Sequence, residues 1–192
     1  MCFDPVINYI FLCSLVKETA FAVIAPILSL QFLKEELSAS NQGLIFATYS
    51  AAIILWSPIV GGVLLKRYNG RTVIIAGMFL YSIVFYLYGF IEGMSGNHTL
   101  IVVYTTILRA LQGIASATIQ TTQYDIGSKT KSGTFIVGGI ECITGIGLAL
   151  GPEMGAITFQ LLSFQWCFMI VGSILLSASI LFLFFFPADE DP

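Results

Sequence analysis

The chain has 192 residues and a formal net charge of -3; it is 57% hydrophobic and only 10% charged, with a mean hydropathy of +0.91. That composition lies far outside the range of soluble globular domains and marks an integral membrane protein. Apolar stretches near the roughly 20 residues that cross a bilayer fill most of the sequence, leaving loops too short for a separate catalytic or nucleic-acid-binding module.

Six such stretches cover about residues 6–32, 42–65, 72–91, 99–122, 134–161 and 166–186. The expected fold is all-α, with residues 1–192 forming a single bundle of six transmembrane helices. The first stretch is too long for a signal peptide, lacks a basic leader and carries Lys17 and Glu18 in its middle, so it is read as a retained helix. Glu18 lies about twelve residues into it, near mid-bilayer at roughly 1.5 Å of rise per residue. Neighbouring residues on a helix point about 100° apart, which makes a Lys17–Glu18 pair awkward. A role for Glu18 at a cavity is the favoured expectation; pairing with Lys17 is the alternative. Lys17 has the further options of Glu141 or a protein interface.

The second stretch ends in the basic residues Lys66, Arg67 and Arg71, with Asn69-Gly70 suited to a tight turn with positive φ. The third carries Tyr81, Tyr86 and Tyr88, and aromatics in spans are expected to face lipid or the interface more often than a ligand. Asn97-His98-Thr99 forms a glycosylation sequon hard against the fourth stretch, with His98 expected to be solvated. The fourth stretch contains Arg109-Ala110-Leu111-Gln112-Gly113. A guanidinium cannot be discharged at physiological pH, and near the bilayer centre it costs from roughly 3 to well over 10 kcal/mol depending on the assay. It therefore requires a partner or a watery cavity. Gln112, Gln120 and Gln123 suit cavity hydrogen bonding, and interhelical bonding explains them equally well.

The fifth stretch is rich in glycine: Gly147, Gly151 and Gly155 recur every four residues and share one face, where the missing side chains let another backbone approach. Gly145 precedes them, and Pro152 is expected to bend the helix around Leu148. Glu141 lies in the half of this stretch nearer its start and Glu153 in the other half. The sixth stretch carries no charged residue and is followed by Asp189, Glu190 and Asp191.

Loop charge sets orientation. Lys66, Arg67 and Arg71 lie between the second and third stretches, Lys129 and Lys131 between the fourth and fifth, and the alternate loops hold only Lys34. The positive-inside rule then places those loops and both termini in the cytoplasm, with Asn97 on the opposite side. Cys2, Cys13, Cys142 and Cys167 are scattered without metal-ligand spacing. No Ser-His-Asp or Cys-His constellation and no phosphate-cradling loop is evident. Neither an enzyme nor a metal or other cofactor is expected.

Two of these motifs carry a resemblance. Arg109 to Gly113 is similar to the R-x-x-Q-G motif of major facilitator superfamily transporters. Gly147, Gly151, Pro152 and Gly155 resemble the G-x-x-x-G-P-x-x-G motif of that superfamily's proton-coupled antiporters. Glu141 looks like the acidic residue of the branch containing vesicular amine and polyamine carriers. The segment from Ser57 to Arg71 resembles the signature loop after the second span, although Lys66 stands where an aspartate is expected and Asn69-Gly70 replaces Gly-Arg. This departure puts the family's cytoplasmic latch in doubt here.

The resemblance implies the amino-terminal half of a twelve-helix carrier, in which spans one and four line one water-filled cavity and so bring Glu18 and Arg109 to it. It implies proton-coupled antiport of a small organic solute such as a cationic amine or drug, with Glu18, Arg109, Gln112 and Glu141 as coupling and binding residues. A facilitative carrier of sugars or organic anions and a non-transporting scaffold are the alternatives. The implied partners are the lipid bilayer, protons, the solute and a second six-helix bundle, supplied by a missing carboxy-terminal half or by a dimer mate. A truncated chain, a dimerising half and a degenerate protein are the three expectations for its length, the first being favoured. The membrane is expected to be the plasma membrane or that of a vesicle or vacuole.

Overall fold

A computed structural model describes residues 5–94, 96–130 and 132–185. Cys2, Lys131, the end of the sixth stretch at Phe186 and the acidic group Asp189, Glu190 and Asp191 lie outside the described residues. Six long helices follow one another: α1 (Pro5–Lys34), α2 (Ala39–Arg67), α3 (Gly70–Tyr88), α4 (His98–Ser128), α5 (Gly133–Leu161) and α6 (Phe164–Phe185). Each is long and apolar enough to span a bilayer, and only helices or closed barrels satisfy their own backbone in hydrocarbon.

The helices pair in a regular way. α1 packs most extensively on α5, and α2 on α4; α3 contacts both α4 and α6, while α1 touches α6 more lightly. Exchanging the first three helices with the last three maps this pattern onto itself, as expected of a 3+3 inverted repeat. Glycine explains the two tightest pairs. A Cβ on Gly151 would lie 2.7 Å from the Thr19 carbonyl oxygen and overlap Ala22, and one on Gly147 would lie 2.9 Å from Cβ of Glu18. On the other side, a Cβ on Gly113 of α4 would lie 2.7 Å from Ala52 Cβ of α2.

Several local details differ from the sequence reading. α2 passes through Pro58 and then widens into a π-helical turn at Val60–Leu64. Asn69-Gly70 is no positive-φ turn: Asn69 is extended, at φ -63° and ψ 142°, and immediately precedes α3. Positive φ is found instead at Glu36 and Gly96 among the described residues, in the two connections on the opposite side. Gly145 lies off the contact face of the glycine repeat, with open space beside it, as do Gly43, Gly62 and Gly138. α2 and α5 accordingly leave most of their surface uncovered.

Candidate functional site

The buried polar side chains gather between α1, α2, α3 and α4. Arg109, at 1% exposure, donates from Nη1 to Oε1 of Gln112 at 3.1 Å, one turn further along α4. Its guanidinium carbon stands 4.7 Å from the ring centre of Phe46 and 5.9 Å from that of Tyr49, both on α2. Such a cation over desolvated rings gains about 2 kcal/mol at best. The charge is thus held by a neutral amide and two aromatic faces. Among the described residues its Nε finds no hydrogen-bond partner.

Gln112 is held in turn. Its Oε1 also accepts from Tyr88 Oη at 3.1 Å, and its Nε2 donates to Tyr81 Oη at 3.1 Å. The two tyrosines are fully buried, which corrects the expectation that the aromatics of this stretch face lipid; Tyr86 alone of the three stays at the surface side, bonded to Ser173 of α6. The signal was present in the sequence, because positions 81 and 88 lie two helical turns apart on one face. Tyr49 completes the layer by donating to Ser116 Oγ at 2.9 Å and stacking on Phe21 of α1, with ring centres 4.8 Å apart.

Glu18 does not meet Arg109. It pairs with Lys17, Nζ to Oε1 at 2.5 Å, with both side chains nearly buried. This overrides the objection drawn from helical geometry: the flexible lysine stem bridges the angle between adjacent residues, and burial leaves each charge no better neighbour. Tyr49 links the two helices: its ring centre lies 5.9 Å from the Arg109 guanidinium carbon and it stacks on Phe21 of α1, three residues after Glu18. Gln123 of α4 reaches across to α1, donating to the Ile10 carbonyl at 3.3 Å, and serves as an interhelical tie.

Glu141 forms a separate group on the open side of the bundle. Its exposed carboxylate accepts a short hydrogen bond from Tyr124 of α4, and Gln120 Nε2 donates to the same hydroxyl at 3.4 Å. Tyr124 is a member that sequence reasoning missed, since no motif spacing links it to Glu141.

The loop residues take different places. Lys66 and Arg67 are exposed at the end of α2. Arg71, at the start of α3, donates to the Leu183 carbonyl near the end of α6 at 2.7 Å, and Gly70 lies close to Ile126 of α4. Asn97 is the N-cap of α4: its side-chain Oδ1 accepts from the Leu100 amide at 3.1 Å, satisfying one of the free N–H groups at the helix start. Among the described residues no cluster of His, Cys, Asp and Glu could hold a metal.

Residues 10–192 match the profile of the Major Facilitator Superfamily. The chain is 32% identical over 173 residues to a multidrug efflux pump, SdrM of Staphylococcus aureus, with 85% of this chain and 36% of that protein covered. It is 23% identical over 175 residues to the human MFS-type transporter SLC18B1, covering 90% of this chain and 38% of that protein. The mouse protein of the same name is 25% identical over 177 residues. The chain therefore spans well under half the length of the curated relatives it matches. With its six apolar helices and a family match over nearly its whole length, it is a multi-pass integral membrane protein that belongs to the Major Facilitator Superfamily.

Proposed function

We propose that this chain forms the amino-terminal bundle of a secondary active carrier that exchanges protons for a small organic cation, an amine or drug. One observation carries the reading: Glu141 places an exposed carboxylate, backed by Tyr124 and Gln120, on a glycine-rich spanning helix. A charge in a spanning helix is costly and marks a solute or proton pathway. Carboxylates can hold a proton and an organic cation in turn, which is the requirement for antiport. The similarity to a protein named as a multidrug efflux pump supports the drug class.

A second bundle completes the carrier, since alternating access rocks one bundle against another around a midplane site. The uncovered glycines of α2 and α5 support this, because small residues are what let helices approach closely in lipid. The basic residues Lys66, Arg67 and Lys129 support a topology with both termini on the cytoplasmic side, in the plasma membrane or that of a vesicle or vacuole. A carrier of anions would need Arg109 in contact with solute, and its burial behind Phe46 and Tyr49 argues against that.

The test is uptake of an organic cation by proteoliposomes under an imposed pH gradient. Glu141→Gln is expected to abolish the response to the gradient. Coupling that persists unchanged in this variant removes Glu141 from the mechanism.

A further inference from the structure

Glu153 of α5 is an exposed carboxylate in a spanning helix, and it has no ion pair or side-chain hydrogen bond among the described residues. It lies eight residues before the end of α5, as Glu141 lies eight residues after its start. At roughly 1.5 Å of rise per residue that is about 12 Å in from the helix end. A helix of 29 residues is about 43 Å long against a hydrocarbon core of about 30 Å, so Glu153 is inside the hydrocarbon. The Cα–Cβ bond of a helical residue tilts toward the N-terminal end. For Glu153 that is toward the membrane centre, away from the nearer aqueous face.

Its direction around the helix is also set. Gly147, Gly151 and Gly155 press on α1, and at about 100° per residue Glu153 points roughly 160° away from both Gly151 and Gly155, out of the bundle. On the same side lie Gly138, Cys142, Gly145, Ala149 and Ala156, all exposed, with open space at the two glycines. The steps of four, three and four residues from Gly138 to Ala149 are those of a seam along which two helices pack with a left-handed supercoil.

We infer that the helix covering this face of α5 belongs to a bundle of different sequence and presents a lysine or arginine to Glu153. The inference rests on the second bundle of the carrier reading above and names its chemistry. A carboxylate in hydrocarbon is costly until it is paired, and small residues along the seam let the partner's backbone come close enough for a base to reach it.

A second copy of this chain does not supply that base. The largely uncovered α2 carries no charged residue from Ala39 to Leu65. Lys17 and Arg109 are buried in their own bundle. The other bases among the described residues, Lys34, Lys66, Arg67, Arg71, His98 and Lys129, lie at helix ends. Two α5 helices inserted in the same sense would set Glu153 against its twin, like charge against like.

The experiment is energy transfer in liposomes between the reconstituted chain, labelled at its amino terminus, and synthetic spanning helices of leucine and alanine. Three such helices differ only at one position eight residues from an end, which holds lysine, leucine or glutamate. The lysine helix is expected to bind about tenfold more tightly than the leucine helix, and the glutamate helix no more tightly. Glu153→Gln removes the advantage of lysine, and Glu153→Lys transfers it to the glutamate helix. Copies of the chain labelled in two colours are expected to associate no more strongly with Glu153 than with Glu153→Gln.

A lysine helix that binds no better than the leucine helix overturns the inference, as does a preference for lysine that survives Glu153→Gln. Association between copies that Glu153→Gln weakens overturns it too, because the partner is then a second copy. Those three results leave the second bundle standing. A chain that binds none of the three helices overturns both the inference and the covered face of α5 on which it rests.

Discussion

The α1–α5 and α2–α4 pairs are counterparts under the pseudo-symmetry of the bundle, yet they treat charge in opposite ways. Beside the glycine ladder of α5, α1 buries two opposite charges on adjacent residues. Between α2 and α4 a lone arginine is wrapped by Phe46, Tyr49 and the amide of Gln112. The first arrangement is neutral overall. The second is a permanent positive charge. One packing arrangement, repeated twice, thus holds a neutral ion pair on one side and a fixed positive charge on the other.

Substitutions can break or sharpen that contrast. The largest effect is expected from Gly151→Leu, which drives a branched side chain into Thr19 and Ala22. It should cost about 4 kcal/mol or more and be read as loss of a monodisperse peak on size-exclusion chromatography. Next come Lys17→Met and Glu18→Gln. Each alone strands a buried partner and should destabilise by about 3–5 kcal/mol, whereas the double substitution should recover most of the loss in a thermal unfolding cycle. Additive losses would mean that the pair is not coupled.

On the other side, Gln112→Leu leaves Arg109, Tyr81 and Tyr88 without their shared partner and should cost about 1–3 kcal/mol. The same cycle with Arg109→Met should show strong coupling, since Gln112 is the one amide contacting the guanidinium among the described residues. Tyr88→Phe removes a single hydrogen bond from this group, for an expected loss of about 1 kcal/mol. Smallest of all is Gly145→Ala, which meets open space and should change the stability of the bundle, read by thermal unfolding, by no more than about 0.5 kcal/mol. A large effect at Gly145 would show that its face is already covered by a neighbour.

The helical architecture was legible because membrane insertion is governed by local composition: runs of apolar residues must satisfy their own backbone in hydrocarbon. The four-residue spacing of Gly147, Gly151 and Gly155 likewise announced a contact face, since periodicity along one helix is a property of one segment. Partners were another matter. That Glu18 turns to Lys17, that Gln112 joins Arg109 to Tyr81 and Tyr88, and that Glu141 meets Tyr124 all depend on which helices lie side by side and on which rotamers fit between them. The π-helical turn after Pro58 and the extended backbone at Asn69 arose in the same way. Hydrophobicity and spacing act within a segment, whereas hydrogen bonds and ion pairs in a dry interior are settled between segments, where each polar group takes the best partner that packing leaves within reach.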